Sequence, residues 1–544
     1  MGKLRKSLGI IICMAIVVSL FAACSKDDTT SPTTDVNTPS SSSSNTDEAT
    51  EEKSNFNKTG FPIVNEPITL TAFGSRDQNQ AEWKNVKMLK EYEKLTNVHI
   101  DYQEVPAQGF DEKKNLLFAS NDLPDIFIRA FITPVEISMY GPESGQLIAL
   151  DDLIAEYAPN LTKIYNDNPL IKASLTAADG KMYTVPALDF SDTGRMGFKQ
   201  WINQEWLAAV GKEVPKTIEE FKDVLKAFRD NDPNKNGEKD EIPLGVREPS
   251  SVYVLGGSFG LDHQMKECIN IEDGKVHFWL TDDRFKEYLQ YLNELYTEKL
   301  LWQDYYKNDR PAWRSNLANA SFGAMYMPYS DVFLNVEDQY IGYEPLKGPY
   351  GDQLWSDAND GVGAVGAFAI SSTCEYPEVA MRWVDFFYSE EGSLYFRFGI
   401  EGETFYYDEN NVPRFKEEIL KDERGFMTAL GEINLVPGGG FPCLITNVTD
   451  GVVASDKTKE VASMHMPYLP EKIYSAPSFN VEERERVNAI IQDLNKYRDE
   501  AVTKFIIGEW GFDKWEEYCD TLNKIGLPEL EQIYQQAFER MYGE

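Results

Sequence analysis

The sequence predicts an α/β fold divided into two lobes, and three observations support this prediction. Strand-like and helix-like hydrophobic patterns alternate along the chain from residue 68 to about residue 330. Removing a leader of residues 1–23 from the 544-residue chain leaves 521 residues. This is more than usually folds around a single hydrophobic core. Helical patterns dominate the last part of the chain, so we also expect a helical C-terminus.

The first 23 residues have the features of a cleaved secretion signal. Residues 3–6 include three basic side chains, and an apolar run follows at residues 8–20. That run is shorter than the roughly 20 residues of a stable membrane span, and it ends in small residues. We therefore predict a signal peptide at residues 1–23, with an uncleaved membrane anchor as the alternative.

Cys24 directly follows the small pair Ala22-Ala23. The stretch Phe21–Cys24 resembles the lipobox of bacterial lipoproteins, in which the cysteine is acylated through its sulfur and becomes the N-terminus. The resemblance implies a lipid on Cys24 and attachment to the extracellular face of the cell membrane. Residues 24–58 are mostly Ser, Thr, Asp, Asn and Glu, so we predict a disordered tether between the lipid and the folded body.

Charge and cysteine content exclude several classes of partner. The formal net charge of −36 at pH 7 repels nucleic acid and anionic lipid surfaces, so we expect neither as a binding partner. Beyond Cys24, the mature chain has Cys268, Cys374, Cys443 and Cys519, and no pair has metal-ligand spacing. We expect buried free thiols, with one or two disulfides as the alternative.

Hydrophobic patterns predict individual elements along the chain. Alternating or short β-rich apolar runs predict strands at residues 68–73, 98–105 and 125–128. Spacing of 3.6 residues predicts helices at residues 81–95, 111–119, 487–506 and 530–541. The first strand should end at Gly74, because glycine interrupts strands. The opening order of strand, helix and strand indicates a parallel sheet.

Residues 232–243 carry oxygen-bearing side chains at the spacing of a calcium-binding loop. With Asp232 as position 1, oxygen ligands fall at positions 3, 5, 7 and 9, and a glycine at position 6 allows the sharp turn. Position 12 is Pro243, so we expect Glu241 to supply the missing carboxylate. A polar turn without metal is the alternative. The predicted ligands of a structural Ca²⁺ are Asp232, Asn234, Asn236, Glu238 (through its backbone carbonyl), Asp240 and Glu241.

Four stretches of sequence carry a resemblance to a known family. They are Asn121–Phe127 (NDLPDIF), Asp179–Pro186 (DGKMYTVP), Ile202–Phe221 and Glu378–Gly392. In this order they are similar to the family-1 extracellular solute-binding lipoproteins of carbohydrate ABC transporters. The resemblance extends over residues 60–544 and implies a periplasmic-binding-protein-like fold, in which hinge-crossing segments join two lobes and the ligand lies in the cleft between them.

The same resemblance implies how the chain divides and what it does. Lobe 1 would comprise residues 59–185 plus 340–400, and lobe 2 would comprise residues 186–339 plus 401–544. We expect a monomer that captures an oligosaccharide or similar small solute in the cleft and closes on it by differential affinity. It would then present the solute to ABC permease subunits, without chemical change.

Aromatic and charged residues near strand ends and crossings are candidates for the cleft. Sugars place their C–H faces against flat rings, and their hydroxyls need a few placed polar groups. Arginines would matter most for an acidic sugar, whose carboxylate they pair with. Core packing or plain surface is the alternative for each. The predicted ligand-binding residues are Arg76, Asp189, Arg195, Trp201, Tyr326, Tyr329, Trp355 and Tyr406.

A surface-anchored glycoside hydrolase or esterase is the alternative function. Gly256–Gly260 (GGSFG) satisfies the nucleophile-elbow pattern of esterases. The sequence after Ser258 does not favour the helix that an elbow needs, so we interpret the motif as a glycine-rich turn. With 89 acidic residues in the chain, a carboxylate pair for glycoside hydrolysis cannot be recognised from spacing. The absence of repeats argues against a structural adhesin.

Overall fold

The computed structural model describes residues 54–247, 249–262, 267–327, 336–452 and 454–543. The predicted signal peptide, Cys24, the tether up to residue 53 and Tyr329 lie outside the described residues. The last residues of the predicted tether belong to the folded body instead. Phe56 pairs with Val64 in a β-bridge, and its ring packs 5.4 Å from that of Tyr157, centroid to centroid.

The strands of the described residues form two larger sheets and two hairpins. The strands are β1 Ile68–Arg76, β2 Val98–Pro106, β3 Ile126–Ile132, β4 Val185–Asp189, β5 Lys199–Asn203, β6 Ile242–Val246, β7 Ile269–Glu272, β8 Lys275–Phe278, β9 Phe322–Met327, β10 Tyr340–Gly342, β11 Val362–Ile370, β12 Phe405–Tyr407, β13 Pro413–Phe415 and β14 Leu444–Ile445.

Helices cover both larger sheets. The α-helices are α1 Lys87–Thr96, α2 Phe110–Ser120, α3 Pro134–Ser138, α4 Asp151–Tyr157, α5 Pro159–Asp167, α6 Pro169–Leu175, α7 Gln204–Val210, α8 Ile218–Asp230, α9 Asp283–Thr297, α10 Arg310–Ala318, α11 Pro377–Asp385, α12 Glu390–Phe398, α13 Glu417–Leu420, α14 Phe426–Ile433, α15 Asp456–His465, α16 Val481–Ile507, α17 Trp515–Ile525 and α18 Leu527–Tyr542.

The first sheet has the strand order β14-β4-β11-β3-β1-β2. Strand β1 runs parallel to β2 and β3, whereas β11 is antiparallel to both β3 and β4. The sheet therefore confirms the parallel start that the sequence predicts. Its five parallel strands end at the same edge, which is where ligands bind in open α/β sheets.

The second sheet has the strand order β10-β5-β9-β6. Every residue of β5 and β9 is buried, because apolar side chains cover both faces of these two central strands. Buried strands of this kind do not show the inside-outside alternation that identifies half-exposed strands. Two predicted ligand residues, Trp201 and Tyr326, lie on these buried strands.

Two separate main hydrophobic cores define two lobes. One core joins residues 63–188 to residues 368–452, and a smaller cluster covers the other face of the same sheet. The other core joins residues 196–355 to residues 461–538. The two-lobed α/β fold predicted from the sequence agrees with this division.

The cores place two lobe boundaries later than the sequence-based prediction. Strand β10 pairs with β5, so residues 340–355 belong to the second lobe and not to the first. The β12–β13 hairpin packs through Phe405 and Phe415 on Phe398 of the first core, with ring centroids 5.6 and 4.8 Å apart. Residues 405–452 therefore belong to the first lobe, although we assigned them to the second.

Two local predictions near the N-terminus were wrong. Strand β1 does not end at Gly74, because its pairing with β2 continues to Arg76, and the glycine is accommodated there because any β-carbon would clash with Trp83 and the carbonyl of Ile128. Helix α1 begins at Lys87 and not at residue 81, because a short 3₁₀ turn over Trp83–Asn85 precedes it.

The C-terminal helices are as predicted and complete the second core. Helix α16 begins at a capping box, in which Asn480 and Glu483 each bond the backbone amide of the other. None of the helices in the described part of the chain combines the length and the apolar composition that a membrane span requires. The four predicted thiols are free, and burial raises the pKa of Cys268 and Cys443 to about 12.

Candidate functional site

The edge of the first sheet where its parallel strands end faces the crossings between the lobes. Strand β1 ends at Arg76, β3 at Ile132 and β4 at Asp189. The chain passes between the two cores three times, between residues 188 and 196, 355 and 362, and 452 and 461. We call the sheet edge defined by the ends of β1, β3 and β4 the ligand edge.

Hydrogen bonds tie the three crossings to one another. The amide of Asn359 donates to the carbonyl of Arg195 at 2.7 Å, and the amide of Phe198 donates to Oδ2 of Asp357 at 2.5 Å. The hydroxyl of Thr193 donates to the carboxylate of Asp450, which links the first crossing to the start of the third. The crossings therefore form one bonded unit, as a hinge requires.

A buried lysine lies at the centre of this unit. Lys199 begins β5 with no exposed surface, and its Nζ donates to the carbonyls of Thr193 at 2.7 Å and Met196 at 3.1 Å. Burial lowers the pKa of Lys199 to about 8, against the opposing pull of the Asp450, Asp357 and Asp189 carboxylates. The lysine thus places a positive charge among acidic groups of all three crossings.

An aromatic ring that the sequence analysis did not identify is presented at the ligand edge. Phe131, next to the end of β3, has 37% of its surface exposed. Both Arg129 and Phe131 have left-handed backbone conformations, with φ of 51° and 48°, which are unusual for non-glycine residues in a strand. The guanidinium of Arg129 lies 5.0 Å from the centre of the Phe131 ring.

A glycine run holds this arrangement in place. Arg129 is 3% exposed and donates to the carbonyls of Gly439 at 2.5 Å, Gly438 at 2.8 Å and Ser75 at 2.5 Å. Gly438, Gly439 and Gly440 all have positive φ, and a β-carbon on Gly440 would clash with the Phe131 ring. The three consecutive glycines are the sequence signal that could have identified this site.

A cavity of about 320 Å³ adjoins the second crossing. Pro134 and Ser138 of the first lobe line it, together with residues 358–360 and residues 474–479. Arg484 of α16 closes one side by donating to the hydroxyl of Ser138 and to the carbonyl of Phe479, the latter at 2.9 Å. Both lobes therefore contribute to the wall of this cavity, but none of the predicted ligand residues that the structure describes does.

Three of the predicted ligand residues lie at the ligand edge or in the first crossing, already bonded to protein groups. Arg76 donates to the carbonyl of Gln80 at 3.3 Å, and Asp189 accepts from the amide and hydroxyl of Ser191 at 3.1 and 2.5 Å. The Nε of Arg195 donates to the carbonyl of Asn359 at 3.3 Å. Their contact with a ligand stays a prediction.

Three other predicted ligand residues belong to the second core. Trp201 of β5, Tyr326 of β9 and Trp355 are each 1% exposed. The first two lie on the fully buried central strands, and Trp355 stacks on the ring of His465 at 4.2 Å with an interplanar angle of 4°. We therefore correct our prediction and assign these three rings to core packing.

Tyr406 is exposed but belongs to the β12–β13 hairpin of the first lobe. It is 48% exposed and pairs with Arg414 across the hairpin. Nothing in the hairpin lines the cavity beside the second crossing. The hairpin lies on the outside of the first core. Contact of Tyr406 with a ligand stays a prediction.

The predicted calcium loop lies between α8 and β6. Asp232 accepts hydrogen bonds from the amides of Asn236 at 3.1 Å and Gly237 at 2.8 Å, and the side-chain amide of Asn236 donates to Asp240 at 3.0 Å. Among the described residues, no three His, Cys, Asp or Glu side chains form a cluster that could hold a metal ion. In this loop, however, two of the predicted ligands are asparagines, Asn234 and Asn236.

One buried oxygen in the loop lacks a partner. Oε1 of Glu241 is buried and makes no hydrogen bond. Burial first, and then the neighbouring carboxylates of Asp240 and Asp232, raise the pKa of Glu241. An unpaired carboxylate oxygen beside two further carboxylates is a donor set that suits Ca²⁺, so the loop residues fit the ion.

The esterase motif does not form a nucleophile elbow. Residues 249–259 form a 3₁₀ helix, and Ser258 is 3% exposed within it. The hydroxyl of Ser258 donates to the carbonyl of Leu346 at 2.7 Å. A nucleophile elbow instead presents its serine oxygen at a sharp strand-to-helix turn, whereas Ser258 is buried and bonded to the backbone, which is a structural role.

Comparisons with known proteins agree with this architecture. The chain is 28% identical to the fructooligosaccharide ABC transporter substrate-binding protein FusA of Streptococcus pneumoniae over 473 residues, 83% of this chain and 86% of FusA. It is 24% identical to the polygalacturonan/rhamnogalacturonan-binding protein YtcQ of Bacillus subtilis over 84% of this chain and 88% of YtcQ.

A solved structure and a family profile complete the comparison. The S. pneumoniae FusA EF-hand mutant in complex with fructo-nystose superposes with a TM-score of 0.69 and 25% identity, covering 87% of this chain and 99% of that one. Residues 77–393, more than half of the chain, match the profile described as bacterial extracellular solute-binding protein. The chain therefore belongs to the family of bacterial extracellular solute-binding proteins.

Proposed function

We propose that this protein captures an oligosaccharide between its two lobes and delivers it to an ABC importer. The observation that carries the proposal is the pair of separate cores joined by three mutually bonded crossings. FusA and YtcQ support the ligand class, because both are named for carbohydrates. Arg76, Asp189, Arg195, Tyr329 and Tyr406 remain proposed ligand contacts.

The arrangement acts by binding alone. A ligand that contacts both lobes stabilises the closed form by the difference between its affinities for the closed and open forms. Rotation about the crossings then buries the ligand and presents a joint surface of both lobes to the permease subunits. No covalent step is needed, in line with the structural role of Ser258.

Titration calorimetry with defined glycans tests the proposal. Neutral fructooligosaccharides and oligogalacturonides are titrated into the protein, with a peptide mixture as the control ligand. We expect saturable one-to-one binding of a glycan by a monomer, a smaller radius of gyration in X-ray scattering and intact glycan afterwards. Binding of peptides alone, or steady release of a cleaved product, would contradict the proposal and favour another solute or the glycoside hydrolase.

We propose further that the protein is anchored through Cys24 on the extracellular face of the cell membrane. The lipobox-like stretch before Cys24 and the membership in an extracellular family support this location. Metabolic labelling with a fatty acid analogue should label the wild type and not the Cys24→Ala variant. A labelled Cys24→Ala variant, or an unlabelled wild type found in the medium, would contradict the anchor.

We also propose that Ca²⁺ stabilises the second lobe through residues 232–241. Asp232, Asn234, Asn236, Asp240 and Glu241 would supply side-chain oxygens, and Glu238 would supply its carbonyl. The ion would neutralise the carboxylates that raise the pKa of Glu241. One solved form of FusA is an EF-hand mutant, and an EF-hand in this relative supports the calcium site proposed here.

Thermal unfolding after chelation tests the calcium site. Adding Ca²⁺ should raise the Tm of the wild type, since an ion that binds only the folded form stabilises it. The Asp232→Asn and Glu241→Gln variants should lose this rise, while the exposed control Glu409→Gln should keep it. Equal Tm values with and without Ca²⁺ in the wild type would exclude the site.

A further inference from the structure

The ligand edge presents one aromatic ring whose exposure is enforced by the backbone. Phe131 and Arg129 both have positive φ, a strained conformation for a non-glycine residue. Such conformations persist only where the surrounding structure determines them, and they cluster at sites that hold ligands. Here three bonds from Arg129 to backbone carbonyls and the Gly438–Gly440 run supply that surrounding structure.

A carboxylate lies beside Arg129 at the same edge. Asp77 follows the last residue of β1 and is half-buried. Its Oδ1 accepts from the amide and the side chain of Asn79 at 2.9 and 3.0 Å. A β-carbon on Gly438 would clash with both Asp77 and Arg129, so these two groups converge on one glycine.

We propose that the Phe131 ring is the stacking platform for a neutral sugar unit and that Asp77 accepts hydrogen bonds from that sugar's hydroxyls. The inference rests on the proposed function and adds the chemistry of the ligand. A flat ring binds the C–H face of a sugar, and a carboxylate accepts two hydroxyl donors at once.

The carboxylate of Asp77 disfavours acidic sugars at this edge. A uronate would approach the Asp77 carboxylate, and like charges repel. Arg129 lies beside Asp77 and its charge opposes this repulsion, but it is buried and its three nitrogens donate to backbone carbonyls. Its guanidinium is therefore held against the Phe131 ring and cannot turn towards a sugar carboxylate.

Calorimetry on four proteins tests the platform. Phe131→Leu keeps an apolar side chain of similar size but removes the flat face, Phe131→Trp keeps a flat face, and Tyr376→Ala removes an exposed ring elsewhere in the first lobe. Against a neutral oligosaccharide, Phe131→Leu should weaken binding about tenfold, the size of a lost aromatic contact. Phe131→Trp and Tyr376→Ala should bind within about twofold of the wild type.

Asp77→Asn tests the selection by charge. The wild type should bind a neutral oligosaccharide more tightly than an oligogalacturonide of equal length, and Asp77→Asn should reduce that preference. Unchanged affinity in Phe131→Leu, or a wild type that prefers the oligogalacturonide, would overturn the platform while leaving glycan capture intact. A wild type that binds neither glycan would overturn the proposed function itself.

Discussion

Aromatic rings have opposite roles at the ligand edge and in the second core. At the edge, Phe131 is 37% exposed on a backbone of positive φ, and Arg129 braces one side of it. In the second core, Trp355 is 1% exposed and stacks flat on His465. The role of a ring therefore depends on its place relative to the end of a strand, and not on its chemistry alone.

Truncation of Trp355 should give the largest difference between the two regions. Trp355→Ala removes a fully packed ring, and we expect a loss of about 3–5 kcal/mol in the free energy of unfolding. Phe131→Leu should change this free energy by no more than about 0.5 kcal/mol, because its ring is partly exposed. Urea unfolding of both variants measures the contrast, and similar losses would refute it.

The partner of Trp355 should make the second core sensitive to acid. Nε2 of His465 donates to the carbonyl of Tyr343 at 2.9 Å, and its buried Nδ1 has no hydrogen-bond partner. Burial therefore lowers the pKa of His465 from 6.5 to about 3. Below pH 6.5 the unfolded chain takes up a proton that the folded chain does not, so stability should fall by about 1.4 kcal/mol per pH unit towards pH 3.

Urea unfolding between pH 7 and pH 5 measures this loss. His465→Phe keeps a flat ring on Trp355 but cannot titrate, so its stability should depend less steeply on pH than that of the wild type. His99→Gln, at an exposed histidine, should keep the full slope. An unchanged slope in His465→Phe would show that other groups cause the acid sensitivity.

A smaller effect should separate two neighbouring glycines at the ligand edge. Gly440→Ala and Gly439→Ala both place a side chain at positive φ, at a cost of about 1 kcal/mol each. Only the new methyl group of Gly440→Ala meets the Phe131 ring, because nothing lies within 4 Å of the other. Glycan affinity should therefore fall in Gly440→Ala alone, and equal affinities would argue against a precisely held ring.

The smallest effect should come from Tyr406. Its ring is 48% exposed and lies on a two-stranded hairpin, so Tyr406→Ala should change the free energy of unfolding by less than about 0.5 kcal/mol. Thermal and urea unfolding provide the measurement. A larger loss would mean that the hairpin depends on this ring, which its core-facing neighbours Phe405 and Phe415 argue against.

The sequence predicted the fold more fully than the site. The family, the two-lobed α/β fold and a binding protein instead of an enzyme are confirmed, because they depend on patterns and motifs spread over the whole chain. Trp201 and Tyr326 were misassigned because fully buried strands lack alternation, so their rings could not be told from cleft residues. Phe131 was missed because only the backbone angle exposes it, and no side-chain pattern records that angle.

The lobe boundaries failed for a related reason. The β12–β13 hairpin joins the first core through tertiary contacts, such as those of Phe405 and Phe415 with Phe398. Local periodicity contains no information about such contacts. The two later boundaries therefore required the structure, whereas the first, near Asp189, followed from a motif.

The bonds among the three crossings limit the ways in which the lobes can move. The three crossing segments would otherwise bend independently. They are joined by hydrogen bonds of Thr193, Asp357, Asn359 and Asp450. Because each bond joins two crossings, bending of one crossing moves its bonded neighbour as well. A change in any one crossing would therefore alter how the others bend when the lobes close.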